Sequence, residues 1–261
     1  MRANQPWLKQ ITKLGFLLMV GASMSADAGL FGFGGTSWKE EVLLHDGSKI
    51  IVKRSQSYGG RHEIGQSSPI KEQEITFTLP KSNKTFTFKS EYSEDIGGRN
   101  FNLLALHILN GTPYIVAEPW LCLSYNKWGR PNPPYVFFKH DGKEWQLISL
   151  VEFPAEFKTI NLVVSAANYD FEKTIAEQSV ISVERVKELN AGPGILKTIR
   201  HAPYPEAAGT CGEMIYDGKG TWRGIDTFSK KPTYEACLQY CEQKKISPQY
   251  CPCETLFKGK K

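Results

Sequence analysis

ITFTLPKSNKTFTF, residues 75–88, alternates apolar and hydroxyl-bearing side chains on both sides of a short polar break. A period of two belongs to a β-strand, whose successive side chains point to opposite faces; a helix would need apolar residues three and four apart. Ile75, Phe77, Leu79, Phe86 and Phe88 fall on one face, and Thr76, Thr78, Thr85 and Thr87 on the other. The break, PKSNK, is an ordinary hairpin loop. The stretch is therefore an antiparallel hairpin with one dry and one wet face, and its dry face needs a second layer to cover it.

The same signal repeats outward. Residues 41–44 and 49–53 flank His45-Asp46-Gly47-Ser48, and Asp-Gly between β-rich runs marks a hairpin turn. Residues 135–139 and 144–150 flank a second such turn, His140-Asp141-Gly142-Lys143. The trio His-Asp-Gly thus occurs twice, but its flanks do not match, so it reads as two similar turns and not as an internal repeat. FNLLALHIL, residues 101–109, is apolar throughout, and its period does not separate a buried strand from a short helix. Residues 114–117, 120–124 and 159–165 are further strand candidates. About nine short strands with turns between them predict an antiparallel β-sandwich or partly open barrel over residues 38–170.

Beyond residue 170 the character changes. Ser182 caps a predicted helix over 183–189, and RHAPYPEAAGTCG, residues 200–212, reads as a linker, so 171–209 is a short helix and connector. Residues 210–261 form a small α-containing, cysteine-rich module, too small to hold itself together by burial alone. Thr233 caps a predicted helix through residue 245, with Tyr234, Cys237, Leu238 and Cys241 on one face. The chain has six cysteines: Cys122, Cys211, Cys237, Cys241, Cys251 and Cys253. Adjacent turns favour pairing 237 and 241 with 251 and 253, in either order, which leaves Cys211 for Cys122. A soft-metal site of four thiolates and a redox role for Cys251-Pro252-Cys253 are the alternatives to structural disulfides.

The compartment bears on that choice, and the other end of the chain addresses it. Arg2, Lys9 and Lys13 precede an apolar run, LGFLLMVGASM (14–24), and then Ala26-Asp27-Ala28, with small residues where a signal peptidase reads. That order predicts a signal peptide over 1–28, cleaved after Ala28, and a periplasmic or secreted protein. The apolar run is shorter than the ~20 residues a bilayer span needs, so no membrane span is expected after leader removal. Export places the cysteines where disulfides form and persist. Gly-rich residues 29–37 read as a flexible tether. Removing the leader takes away three basic residues and Asp27, so net charge falls from +5 to +3. That balance is mild and excludes the dense basic stripe of a nucleic-acid binder.

Between the strands, YIVAEPWLCLSYNKWGRPNPPYVFF (114–138) offers the best ligand-binding candidates: Trp120, Tyr125, Trp128 and Tyr135 around a proline-stiffened loop. Asn126 and Arg130 would add hydrogen bonds to a sugar ring or a peptide. The alternative is that these rings cap the β core. The loop SEDIGGR, 93–99, reads as solvated. No H-E-x-x-H, G-x-S-x-G, P-loop or dinucleotide fingerprint occurs, so no catalytic residue, metal or cofactor is assigned, and the balance leans against an enzyme.

WKEEVLLHDGSKIIVKRS (38–55), GGRHEIGQ (59–66), KSEYSEDIGGRNF (89–101) and SYNKWGRPNPPYVFF (124–138) resemble segments of exported, uncharacterised proteins of Gram-negative bacteria. The resemblance spans about residues 38–165 and implies an envelope location; it carries no activity, ligand or site residue. The expectation is a non-catalytic binding or structural protein of the cell envelope, with envelope polysaccharide or protein as partner. A hydrolase of an envelope polymer, or an exported metal binder using the C-terminal cysteines, is the alternative.

Overall fold

The computed structural model describes residues 35–257, apart from 67, 81, 165, 167 and 206–210. The leader and most of the tether lie outside the described residues. β1 (Gly35–Leu43), β2 (Lys49–Tyr58), β3 (Ile70–Thr78) and β4 (Thr85–Ser90) form one antiparallel sheet in that order. β1 thus starts three residues inside the stretch read as a tether. After a two-rung ladder of β5 (Tyr92–Ser93) and β6 (Gly98–Arg99), a second antiparallel sheet follows. It contains β7 (Phe101–Leu109), β8 (Thr112–Pro119), β9 (Val136–His140) and β10 (Trp145–Ile148), in the order β10-β9-β8-β7. The two sheets stay separate, so the fold is mainly β and antiparallel and not a closed barrel.

The opening hairpin has the expected faces. Ile75 pairs with Phe88 and Phe77 with Phe86, and all four are buried, as is Leu79. Across from them lie Phe101, Leu103, Leu106, Ile115, Val136 and Phe138 of the second sheet, which close the shared core. On the wet face Thr76 and Thr78 hydrogen-bond their partners Thr87 and Thr85, each at 2.9 Å. The ambiguous run 101–109 is a strand. It lacks alternation because the second sheet is covered on both faces: Leu104, Ala105, Val116 and Phe137 pack away from the sandwich against Phe153, Phe157 and Ile199.

At one end of the first sheet the inward residues turn polar. Glu40 and Arg54, both fully buried, pair at 3.1 Å. Trp38 Nε1 donates to Glu40 at 2.7 Å, and Arg54 also reaches the Val163 carbonyl at 3.1 Å. The covering layer here is Val163 and Ala166 with helices α2 (Tyr169–Glu177) and α3 (Val183–Leu189). α3 has the predicted Ser182 cap, which accepts from Arg185 N at 3.2 Å. α2, capped by Asn168, was not expected.

Two strand candidates are corrected. Residues 120–124 enter helix α1 (Leu121–Lys127). The ladder stops at Trp120, whose N–H turns to the Asn100 carbonyl, and Leu121 takes φ 60°. Of the candidate 159–165, residues 159–164 are described and form no strand; among them only Thr159 bridges, to Thr198. β7 bulges at Leu104, which takes both the Asn161 and Leu162 N–H groups. One step on, the Asn161 side chain replaces the backbone as Leu106's partner, accepting its N–H at 2.9 Å and donating to its carbonyl at 2.8 Å.

The C-terminal module holds β11 (Met214–Tyr216), β12 (Trp222–Gly224), α4 (Asp226–Ser229), α5 (Tyr234–Gln243) and α6 (Cys253–Phe257). Thr233 caps α5 as expected, and Cys237, Cys241 and Cys253 pack with Phe228 and Ile246 in its small core. No helix among the described residues is long and apolar enough to cross a membrane.

Candidate functional site

Alternate connections of an antiparallel sheet lie at the same end, and here four turns converge: 44–49, 79–80 with 82–84, 109–112 and 139–142. They surround a cleft of about 1040 Å³. Its floor is the open end of the sandwich core, with Leu44, Ile50, Leu79, Phe86 and Ile108. Lys49, Lys84 and Lys139 and the two His-Asp-Gly turns stand around it.

Each member of the repeated trio has a local job. Asp46 Oδ1 accepts from Ser48 N at 2.9 Å and from Ser48 Oγ at 2.6 Å. Asp141 Oδ1 accepts from Lys143 N at 2.8 Å and Glu144 N at 2.9 Å. The Ser48 hydroxyl and amide hold the Asp46 carboxyl below its usual range, and the Glu144 and Lys143 amides do the same for Asp141. Both aspartates are thus turn residues of the Asx type. Gly47 at φ 84° and Gly142 at φ 105° supply the left-handed backbone that each turn requires.

The histidines differ. His140 Nδ1 accepts from Gly142 N at 2.9 Å, which leaves its proton on Nε2, and the ring edge meets Phe86 and Trp145. Partial burial and the nearby Lys84 ammonium keep it below the usual imidazole range. His45 leans inward toward Phe157, with its ring 6.3 Å from that of His107. His107 is fully buried, stacked on Phe157 and bonded through Nε2 to the Thr159 carbonyl at 2.9 Å; burial pushes its pKa down to about 4. Lys84 Nζ crosses the cleft mouth to the Gly142 carbonyl at 2.9 Å, joining the two sheets. The site therefore offers an apolar floor, ammonium groups at the rim and imidazole edges. The repeated trio was visible in the sequence; that both copies face one cleft follows only from the strand order.

The residues expected to bind a ligand sit elsewhere, and most of their polar groups bind the chain itself. Asn126 donates to the Cys122 and Gly212 carbonyls and accepts from Met214 N at 2.8 Å. Arg130 donates to the Cys211 and Gly212 carbonyls and lies over the Tyr125 ring at 5.1 Å. Trp128 packs on Phe101 and Phe138 and donates to Asn100 Oδ1 at 3.2 Å. Tyr125 and Tyr135 are buried. Trp120 lies against Gly98 and under the Arg99 guanidinium. The start of the cysteine module thus occupies the place offered to a ligand.

The loop 93–99 is likewise not solvated. Ile96, Gly97, Gly98 and Arg99 are buried, and Trp222 Nε1 donates to the Asp95 carbonyl at 3.0 Å. Ser93, Lys127 and Asp95 meet there, with Lys127 Nζ 2.8 Å from Asp95. The group is an ion pair: against the opposing effect of burial, the Lys127 and Ser93 hydrogen bonds hold the Asp95 carboxyl below its usual range.

The cysteines form three disulfides: Cys122–Cys211, Cys237–Cys253 and Cys241–Cys251. Cys241, Cys251 and Cys253 form the one close group of three potential metal ligands among the described residues, and as disulfide sulfurs they present no thiolate to an ion. Searches against models of known protein families, curated proteins and solved structures find no match to this chain.

Proposed function

We propose that this chain is an exported, disulfide-stapled binding protein of the bacterial envelope, without catalysis of its own, whose ligand seats in the cleft between the four hairpin turns. One observation carries the reading: a cleft of about 1040 Å³ whose floor is the apolar end of the sandwich core, under a rim of lysines. Ligand sites are typically concave, largely apolar and furnished with a few convergent polar groups. The matching ligand has an apolar body and an anionic end. Three disulfides in so small a protein fit an oxidising compartment, which supports export. A binding role is further supported by the histidines: among the described residues, every histidine-ring hydrogen bond goes to a backbone atom, none to a serine or a carboxylate.

The test uses dodecanoate titrated by calorimetry into the purified oxidised protein, with dodecyltrimethylammonium as the opposite-charge control. Saturable dodecanoate binding is expected, weakened about tenfold or more by Ser82→Trp at the exposed cleft mouth, with no change in melting temperature. Equal binding of the two detergents, or a Ser82→Trp variant that binds as well as the parent, would sink the reading. Export is checked separately: N-terminal sequencing of protein from a periplasmic fraction should begin at Gly29.

A further inference from the structure

A buried cation stands without an anion on the outer face of the second sheet. Asn102 and Glu118 are cross-strand partners on β7 and β8, and their neighbours Phe101, Leu103 and Ala117 point into the sandwich core, so this pair points away from it. With Arg99 of β6 they line a cavity of about 280 Å³. Its remaining wall is apolar: Ile70, Leu104, Val164, Ala166, Ile195 and Leu196.

Arg99 is only 8% exposed. Its Nε and Nη2 donate to Asn102 Oδ1 at 3.0 and 2.6 Å, and Nη1 donates to the Ile70 carbonyl at 3.2 Å. The Trp120 ring lies 4.8 Å from the guanidinium carbon. All these partners are neutral. A guanidinium has five N–H groups, so one on each terminal nitrogen is left over by these bonds. Glu118 shares the cavity but makes no ion pair with Arg99; Asn102 stands between them, held to both. Burial depresses the Arg99 pKa to about 10 and raises that of Glu118, the response of two charges that have lost water and not found each other.

We infer that the Arg99–Asn102–Glu118 cavity is a binding site for a small carboxylate with a compact apolar body. The carboxylate supplies the charge that Arg99 lacks and accepts its two remaining N–H groups, the paired geometry for which a guanidinium is suited. The apolar wall takes the ligand's body. Glu118 in its protonated form donates to the carboxylate; ionised, it would repel it. The groups facing Glu118 are Arg99, Asn102 and Tyr135, and of these only Arg99 is charged near neutrality. Binding is therefore tighter at the lower pH.

Benzoate is the probe, titrated up to about 10 mM into the full oxidised chain at constant ionic strength, with benzyl alcohol as the neutral isostere. The expected result is one saturable site, preferring benzoate at least about tenfold over benzyl alcohol and tighter at pH 5 than at pH 8. Ile195→Trp, on the partly exposed wall, keeps Arg99 and fills the cavity; it should abolish benzoate binding at unchanged melting temperature. Glu118→Gln should retain binding and lose its pH dependence. Equal affinity for benzoate and benzyl alcohol, no saturation, or full binding by Ile195→Trp would overturn the inference. Benzoate binding lost in Ser82→Trp and kept in Ile195→Trp would do so too, by placing the ligand in the hairpin cleft.

Discussion

Gly98 faces the Trp120 ring so closely that a Cβ built on it would lie 2.1 Å from Cζ3. No rotamer adjustment of so large a ring absorbs that overlap, because Trp120 is itself held under Arg99. Gly98→Ala is expected to destabilise by about 3 kcal/mol, read by urea unfolding with tryptophan emission as the probe. His107 carries a pH dependence at the same scale. Its folded pKa of about 4 lies below the ordinary 6.5, so the native state holds the neutral ring. The stability this represents is complete above pH 6.5. It is lost as pH falls from 6.5 toward 4, because the unfolded chain takes up the proton first. The loss approaches about 3 kcal/mol and is measurable as the drop in unfolding free energy between pH 7.5 and 4.5. His107→Gln, which keeps an N–H for the Thr159 carbonyl, should flatten that slope.

Elements with a regular period were legible, and those set by single contacts were not. The 75–88 hairpin declared both its faces, and Ser182 and Thr233 marked two helix starts, because each signal is local. Residues 120–124 read as a strand because Trp, Leu and Cys suit one. The structure instead buries Ser124, whose hydroxyl donates to the Asn100 carbonyl, and leaves Leu121 66% exposed. That inversion depends on Asn100, twenty-odd residues away, and no window of sequence contains it. Residues 159–164 fail as a strand through Asn161, whose side chain does the pairing and also donates to the Leu43 carbonyl at 2.9 Å. It thereby holds β1 to β7 at the open side of the sandwich. Asn161→Ala is expected to cost about 3 kcal/mol, three hydrogen bonds at roughly 1 kcal/mol each, and to speed amide exchange at Leu106 first. The candidate cleft was half legible: both His-Asp-Gly turns were recognised, but their common destination is a property of strand order.

At the scale of the molecule, a disulfide ties the sandwich to the module. Cys122 at the start of α1 and Cys211 before β11 are 89 residues apart in sequence. Asn126 and Arg130 brace the same junction with hydrogen bonds to residues 211–214. In the chain-entropy view a closed loop of that length stabilises by about 4–5 kcal/mol. The double variant Cys122→Ser/Cys211→Ser should lose most of that in a denaturant melt, and a melt as stable as the parent's would assign the junction to the hydrogen bonds alone. The order of the bridges along the chain has a consequence in time. If the protein crosses a membrane from its N-terminus, Cys211 is the first thiol to arrive after Cys122, so successive pairing yields the native link directly. Cys237 then meets Cys241 before either true partner has emerged, since Cys241–Cys251 lies nested inside Cys237–Cys253. A host that joins thiols in order of arrival would finish the sandwich's tie and misjoin the module, leaving the last two bridges dependent on an enzyme that reshuffles them.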